Sequence, residues 1–193
     1  QASELQDKGV LANCHVNVLQ TQDHPQFKTY AEELKWLTTD TTRMSWIANT
    51  IKDIATSGNT LILVDRISAG ELLEKKIKDS VFVSGSTKNM DRKEQYDEIS
   101  TATNKVIIAT YGVAAVGINI PRIFNLVLIE PGKSFVRVIQ SIGRGIRKAE
   151  DKDSVQIWDI TSSCKFAKRH LGARKKFYKE ANYPYNIEKI NYE

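Results

Sequence analysis

Arg144 and Arg147 are the residues of this chain whose type and spacing best suit chemistry. They lie in Gln140-Ser141-Ile142-Gly143-Arg144-Gly145-Ile146-Arg147, with Arg144 framed by glycines. On a helix, positions i and i+3 share a face, so both guanidiniums can converge on one phosphate-sized target. Arginine stays charged, and its planar fork pairs with phosphate oxygens two at a time. The competing reading is a solvated basic helix end, where cations meet the negative pole of the dipole. The run follows an amphipathic segment, residues 134–139, directly behind the strand-like Asn125-Leu126-Val127-Leu128-Ile129.

Upstream, an apolar strand pattern (Val106 to Ala109) ends in Thr110-Tyr111-Gly112, and a small-residue turn leads to Gly117-Ile118-Asn119-Ile120-Pro121. The order Ala-Thr…Gly-Ile-Asn-Ile-Pro, then Gln-x-x-Gly-Arg-x-x-Arg, resembles motifs V and VI of superfamily 2 helicases, and the resemblance runs nearly end to end. It implies the second motor lobe: an α/β, RecA-like (P-loop NTPase-like) parallel sheet with helices on both faces and a basic helical C-terminal extension. It also implies that Arg147 is an arginine finger, with Arg144 beside it, reaching the γ-phosphate of an ATP held with Mg²⁺ mainly by the first lobe. Such a finger contributes about 10³–10⁵ in rate. Gln140 would couple nucleotide state to lobe closure, and Gly117 and Asn119 would touch the nucleotide. Many relatives carry Asp where Asn119 stands, so a ribose hydrogen bond survives while a charge is lost. The stretch from threonine to glycine is one residue longer than in DEAD-box relatives. That leaves open whether Thr110 or Tyr111 contacts a nucleic-acid phosphate.

The elements that must position these residues are regular from Thr60 onward. Leu61 to Val64, Val81 to Val83, Val106 to Ala109, Asn125 to Ile129 and Val155 to Ile160 read as short buried strands. Helices over 68–78 (Leu72, Leu73 and Ile77 inward) and from about Asp91 to Thr101 separate them. A helix from Arg43 to about Thr56 places Met44, Ile47, Ile51 and Ile54 on one face, capped by Asp40, Thr41 or Thr42 and stopped by Ser57-Gly58-Asn59. Continuous apolar strands between amphipathic helices imply a parallel sheet covered on both faces. Such sheets place ligands outside the carboxyl ends of their strands: here Asp65-Arg66, Ser84-Gly85, Thr110 to Gly112 and Glu130-Pro131-Gly132. His15 to Leu19 alternate like an edge strand, and residues 26–42 are polar and mixed. The expected divisions are 1–25 leaving the first lobe, 26–160 the second lobe, and 161–193 the extension.

The strand-binding half of that edge comes from Arg66 at the motif IV position and from Gly85, Ser86, Thr87 and Lys88, whose exposed amides, hydroxyls and lysine suit backbone phosphates. Arg92 follows at a helix start where family members often carry a phosphate-binding arginine; an ordinary turn is the alternative. From Lys165 to Lys179 there are seven cations (Lys165, Lys168, Arg169, Arg174, Lys175, Lys176, Lys179) and no acid, interleaved with Phe166, Phe177 and Tyr178. Lys168, Arg169, Arg174, Lys175 and Lys176 are candidates for a salt-dependent, sequence-tolerant DNA contact, or else a solvated face over buried Phe166, Leu171, Phe177 and Tyr178.

Composition agrees with one lobe plus extensions: 193 residues, 41% hydrophobic, 26% charged, net charge +5. No apolar run approaches the roughly 20 residues that span a bilayer, and Gln1 points to a cut from a longer chain. Cys14 and Cys164 lack metal-type neighbours, which suits reduced thiols in a cytoplasm. The histidines form no ligand spacing, so no structural metal is expected. Nothing reads Gly-x-x-x-x-Gly-Lys-Ser/Thr, and no Asp-Glu pair suited to Mg²⁺ ends a strand. The chain alone is therefore expected to be inactive. The whole enzyme is expected to be an ATP-dependent DNA helicase or translocase, with DNA (single-stranded and branched) and its own first lobe as partners and no membrane. A non-motor nucleic-acid-binding or docking module, or an RNA helicase lobe, is the alternative.

Overall fold

A computed structural model describes residues 14–84, 104–116, 123–132, 135, 138–140 and 155–193. Seven strands form one sheet in the order β3-β4-β2-β5-β6-β1-β7. They are β1 Cys14–Thr21, β2 Thr60–Val64, β3 Val81–Val83, β4 Val106–Thr110, β5 Asn125–Ile129, β6 Val155–Ser162 and β7 Tyr185–Ile190. Every pairing is parallel. The described helices are α1 Tyr30–Leu37, α2 Thr41–Ile54, α3 Ile67–Lys76, α4 Tyr111–Ala115 and α5 Lys165–Glu180.

Alternation along each strand sends side chains to two cores. Leu61 and Leu63 of β2 join Val16, Val18, Leu126, Leu128 and Ile157 on the face where α5 contributes Leu171, Phe177 and Tyr178. Ile62 and Val64 join Val127, Ile129 and Ile160 on the face covered by Met44, Ile47 and Ile51 of α2 and Ala69 and Leu73 of α3. β2 is buried along its whole length, which is why it reads as an uninterrupted apolar run rather than an alternating one. Asp40 caps α2, its carboxylate accepting the Arg43 N–H at 3.0 Å. Gly70 lets α3 lie directly on β3: a Cβ there would sit 2.3 Å from the Phe82 ring.

Three features differ from the sequence expectation. β1 is not an edge strand, since it lies between β6 and β7. Its alternation arises because His15 and Asn17 turn to polar neighbours across the strands, Asn186 at 2.7 Å and Gln156 at 3.1 Å. Residues 26–42 hold a helix, α1, whose Glu33 is 1% exposed; a buried acid inverts the amphipathic signal that would have revealed it. The divisions expected at 25/26 and 160/161 are not boundaries of the sheet. β1 and β7 pair with each other, β6 runs through to Ser162, and α5 packs on the sheet. The helix expected over 91–101 lies outside the described residues.

Candidate functional site at the carboxyl edge of the sheet

The chain leaves β2 at Asp65-Arg66, β4 at Thr110-Tyr111 and β5 at Glu130-Pro131-Gly132, so these residues share one edge. Thr110 Oγ1 accepts the Val113 N–H at 3.2 Å and caps α4. Its hydroxyl proton has no acceptor among the described residues, so it remains available for an anion. The Tyr111 hydroxyl instead donates to the Ile129 carbonyl at 2.9 Å. Burial pushes that phenol well above its ordinary pKa, with the Asp159 carboxylate adding to the effect. Of the two candidates for a phosphate contact, the threonine is the one that keeps a proton to give. Arg66, a third exposed, leans on its neighbour Asp65 at 3.3 Å. Gln140 is half-buried on helical backbone behind the buried Phe135, Val138 and Ile139.

Between these strand ends and α5 a cavity of 580 Å³ opens, lined by Asp65, Tyr111, Glu130 and Gly132 from the sheet, Tyr30 from α1, and Phe166 and Arg169 from α5. Gly132 adopts φ +69, a backbone conformation side chains disfavour, and a Cβ would come within 3.3 Å of the Tyr30 hydroxyl. Tyr30 and Phe166 were not legible as site residues, because each arrives from an element far away in sequence.

Two buried ion-pair systems lie beneath this edge. Arg43, fully buried, donates from Nη2 to Glu130 Oε1 at 2.7 Å and from Nε to Thr21 Oγ1 at 3.1 Å. Thr161 Oγ1 donates to the other Glu130 oxygen at 3.1 Å. Even so, burial outweighs the arginine, and the Glu130 carboxyl is pushed up to about 7. In the second system the Arg174 guanidinium grips Asp159 with both forks, Nε to Oδ2 at 2.8 Å and Nη2 to Oδ1 at 2.9 Å. Tyr178 donates to the same carboxylate at 2.7 Å. Burial works against the Arg174 charge, but Asp159 more than offsets it and holds the guanidinium above its usual range.

This corrects one expectation. Arg174, 1% exposed, is a structural ion-pair partner and is not available to a duplex. On α5, Lys168, Arg169 and Lys176 are exposed and Lys175 half-exposed, while Leu171, Phe177 and Tyr178 are buried and Phe166 is half-buried. The helix is held at its start by Glu33, whose carboxylate accepts the N–H groups of Phe166 at 3.0 Å and Ala167 at 2.8 Å. Gly85, Ser86, Thr87, Lys88, Arg92, Gly117, Asn119, Arg144 and Arg147 lie outside the described residues. Among the described residues no cluster of acids, cysteines or histidines could hold a metal ion. Glu130 and Asp159 are committed to arginines, so this donor set does not fit Mg²⁺. No described helix is long and apolar enough to cross a membrane.

A seven-stranded parallel sheet with helices packed on both faces is the RecA-like architecture of helicase C-terminal lobes. The chain belongs to the family described as helicase conserved C-terminal domain, which it matches over residues 42–149. Among curated proteins it is similar to the ATP-dependent DNA helicase uvsW of Enterobacteria phage T4, 28% identical over 211 residues, covering 98% of this chain and 42% of that protein. The solved T4 UvsW structure superposes with a TM-score of 0.81 at 22% identity, over 93% of this chain and 42% of that one. The Escherichia coli DEAD-box protein SrmB superposes at 0.62 and 16% identity, over 92% and 91%. A putative helicase of the Sulfolobus islandicus filamentous virus is 31% identical over 52% of this chain and 18% of its own length. The chain thus spans less than half the length of the curated relatives it matches.

Proposed function

We propose that this chain is the second motor lobe of an ATP-dependent DNA helicase or translocase acting on branched recombination and replication intermediates. The observation that carries the reading is that the family match contains the Thr110–Pro121 and Gln140–Arg147 stretches. The likeness to a phage DNA helicase along 98% of the chain supports DNA over RNA. In this reading the first lobe holds ATP and Mg²⁺, which supply the transferable phosphoryl group and the charge that neutralises it. Arg147 and Arg144 reach the γ-phosphate across the cleft, Gln140 reports nucleotide state, and Gly117 and Asn119 touch the nucleotide. Thr110 and Arg66, with Gly85, Ser86, Thr87, Lys88 and Arg92, carry one strand by its phosphates. Lys168, Arg169, Lys175 and Lys176 meet a duplex arm.

The test is nucleic-acid-stimulated ATP hydrolysis by the full-length protein, with branched DNA, single-stranded DNA and RNA as activators. Arg147→Ala is expected to lower kcat by about 10³ or more with nucleic-acid affinity nearly intact. Near-normal turnover in both Arg147→Ala and Arg144→Ala removes the finger assignment. Stimulation by RNA alone reassigns the track.

A further inference from the structure

We propose that α5 is a regulatory link: a duplex arm engaged by its outer face biases the nucleotide response through the segment its inner face holds, from Gly132 to Gln140. The inference rests on the motor-lobe reading above and names how that site is regulated. Phe135 is 3% exposed and stands edge-on to two rings of α5, Phe177 at 5.1 Å between centres and 90°, and Tyr178 at 5.6 Å and 68°. Both separations lie in the range of about 4.5–7 Å where aromatic pairs attract. Val138 and Ile139, one helical turn on, sink into the same core. The segment is gripped at its start as well, since Arg174 Nη1 donates to the Gly132 carbonyl at 3.4 Å. Gln140 follows directly, half-buried, and Arg144 stands four residues further on in the sequence.

Five consecutive residues of α5, Arg174 to Tyr178, serve both faces. Arg174, Phe177 and Tyr178 are buried, while Lys176 between them is exposed and Lys175 half-exposed. A phosphate drawn to Lys175 or Lys176 therefore restrains the turn of helix that carries Phe177. That turn cannot give way alone, because Arg174 and Tyr178 tie it to Asp159 of β6. The restraint passes to Phe135 instead, since a close-packed interior holds discrete arrangements rather than yielding continuously. Buried as they are, Phe135 and Phe177 act through Gln140, as positioning residues. Such a coupling is reciprocal: the factor by which a duplex arm changes nucleotide affinity is the factor by which nucleotide changes affinity for the arm.

The experiment uses the full-length protein, a non-hydrolysable ATP analogue with Mg²⁺, and two fluorescent DNAs that share one single strand, either bare or joined to a duplex arm. Anisotropy gives the affinity for each DNA with and without the analogue. The forked DNA is expected to show a nucleotide effect at least about fivefold larger than the bare strand, the lower end of typical couplings. The analogue's own affinity should shift by the same factor. Phe135→Leu and Phe177→Leu should each bring the fork down to the bare-strand factor, and the double variant should go no lower, since both cut one contact. Ile51→Val, in the core on the opposite face, should keep the wild-type factor, which separates positioning from general loosening. Equal nucleotide effects on fork and bare strand in the wild type overturn the inference and leave the motor reading standing. So does a wild-type fork factor in both Phe135→Leu and Phe177→Leu, or an equal loss in Ile51→Val. Absence of both nucleotide-dependent DNA binding and DNA-stimulated turnover brings down both readings.

Discussion

Asp159 is fully buried with a guanidinium on both oxygens, so Arg174→Ala leaves a buried carboxylate whose remaining side-chain partner is the Tyr178 hydroxyl. Breaking a buried pair from one side typically costs about 3–5 kcal/mol, and urea unfolding should show a loss of that size. The salt dependence of DNA binding should not change in this variant. Neutralising Lys168, Arg169, Lys175 or Lys176 should instead flatten the salt slope by about one unit per lost phosphate contact at little cost in stability. Glu130 gives a second test at this scale. Its carboxyl sits at about 7 when folded against an ordinary 4.5, so the native state holds its proton more tightly than the unfolded chain does. Its contribution is therefore complete below about pH 4.5 and is lost as pH rises toward 7. The full swing is on the order of 3 kcal/mol, at about 1.4 kcal/mol per pH unit. Glu130→Gln should be markedly less sensitive between pH 5 and 8 in the same unfolding measurement. Neither ion pair was legible in the sequence, because Arg174 differs from Lys175 and Lys176 only in what the fold sets opposite it.

α1 and α5 meet through the packing of Tyr30 on Phe166 and His170 and of Leu37 on Ala167, and through one carboxylate. Cys164, the residue before α5, makes no side-chain cap, and Glu33 from α1 supplies the missing acceptor for two N–H groups at the positive end of the dipole. Glu33→Ala should cost about 2 kcal/mol, within the range for hydrogen bonds to a charged group, and should lower the melting temperature with α2 and α3 still packed. The elements legible in advance were those with one dominant period: α2 through Met44, Ile47, Ile51 and Ile54, the strands β2 to β5 through continuous apolar runs, and β6 through Val155, Ile157 and Ile160. α1 was hidden by its buried acid, and β7 by side chains that are mostly exposed. The candidate site was half legible for the same reason. Asp65, Thr110 and Glu130 end strands that read clearly, whereas Tyr30 and Phe166 sit on elements whose place beside those strands is a tertiary fact.

At the scale of the whole molecule, the sequence carries no Walker lysine, so this chain by itself is expected to show no ATP hydrolysis. Turnover by the purified chain, measured as phosphate release with and without DNA, would refute the division of labour between two lobes. The order of the sheet has a consequence for how the protein is made. β1 lies between β6 and β7, with Cys14 opposite Val155 and Val16 opposite Tyr185. A ribosome adding about 5–20 residues per second therefore delivers β1 long before either neighbour exists. Until they emerge, a strand bearing Val16, Val18 and Leu19 has both edges unpaired, the condition that invites association with other chains. Pairings this distant in sequence also fold slowly. The nascent lobe cannot complete its sheet until the last strand has left the exit tunnel, which makes the interval of synthesis its period of greatest exposure to aggregation.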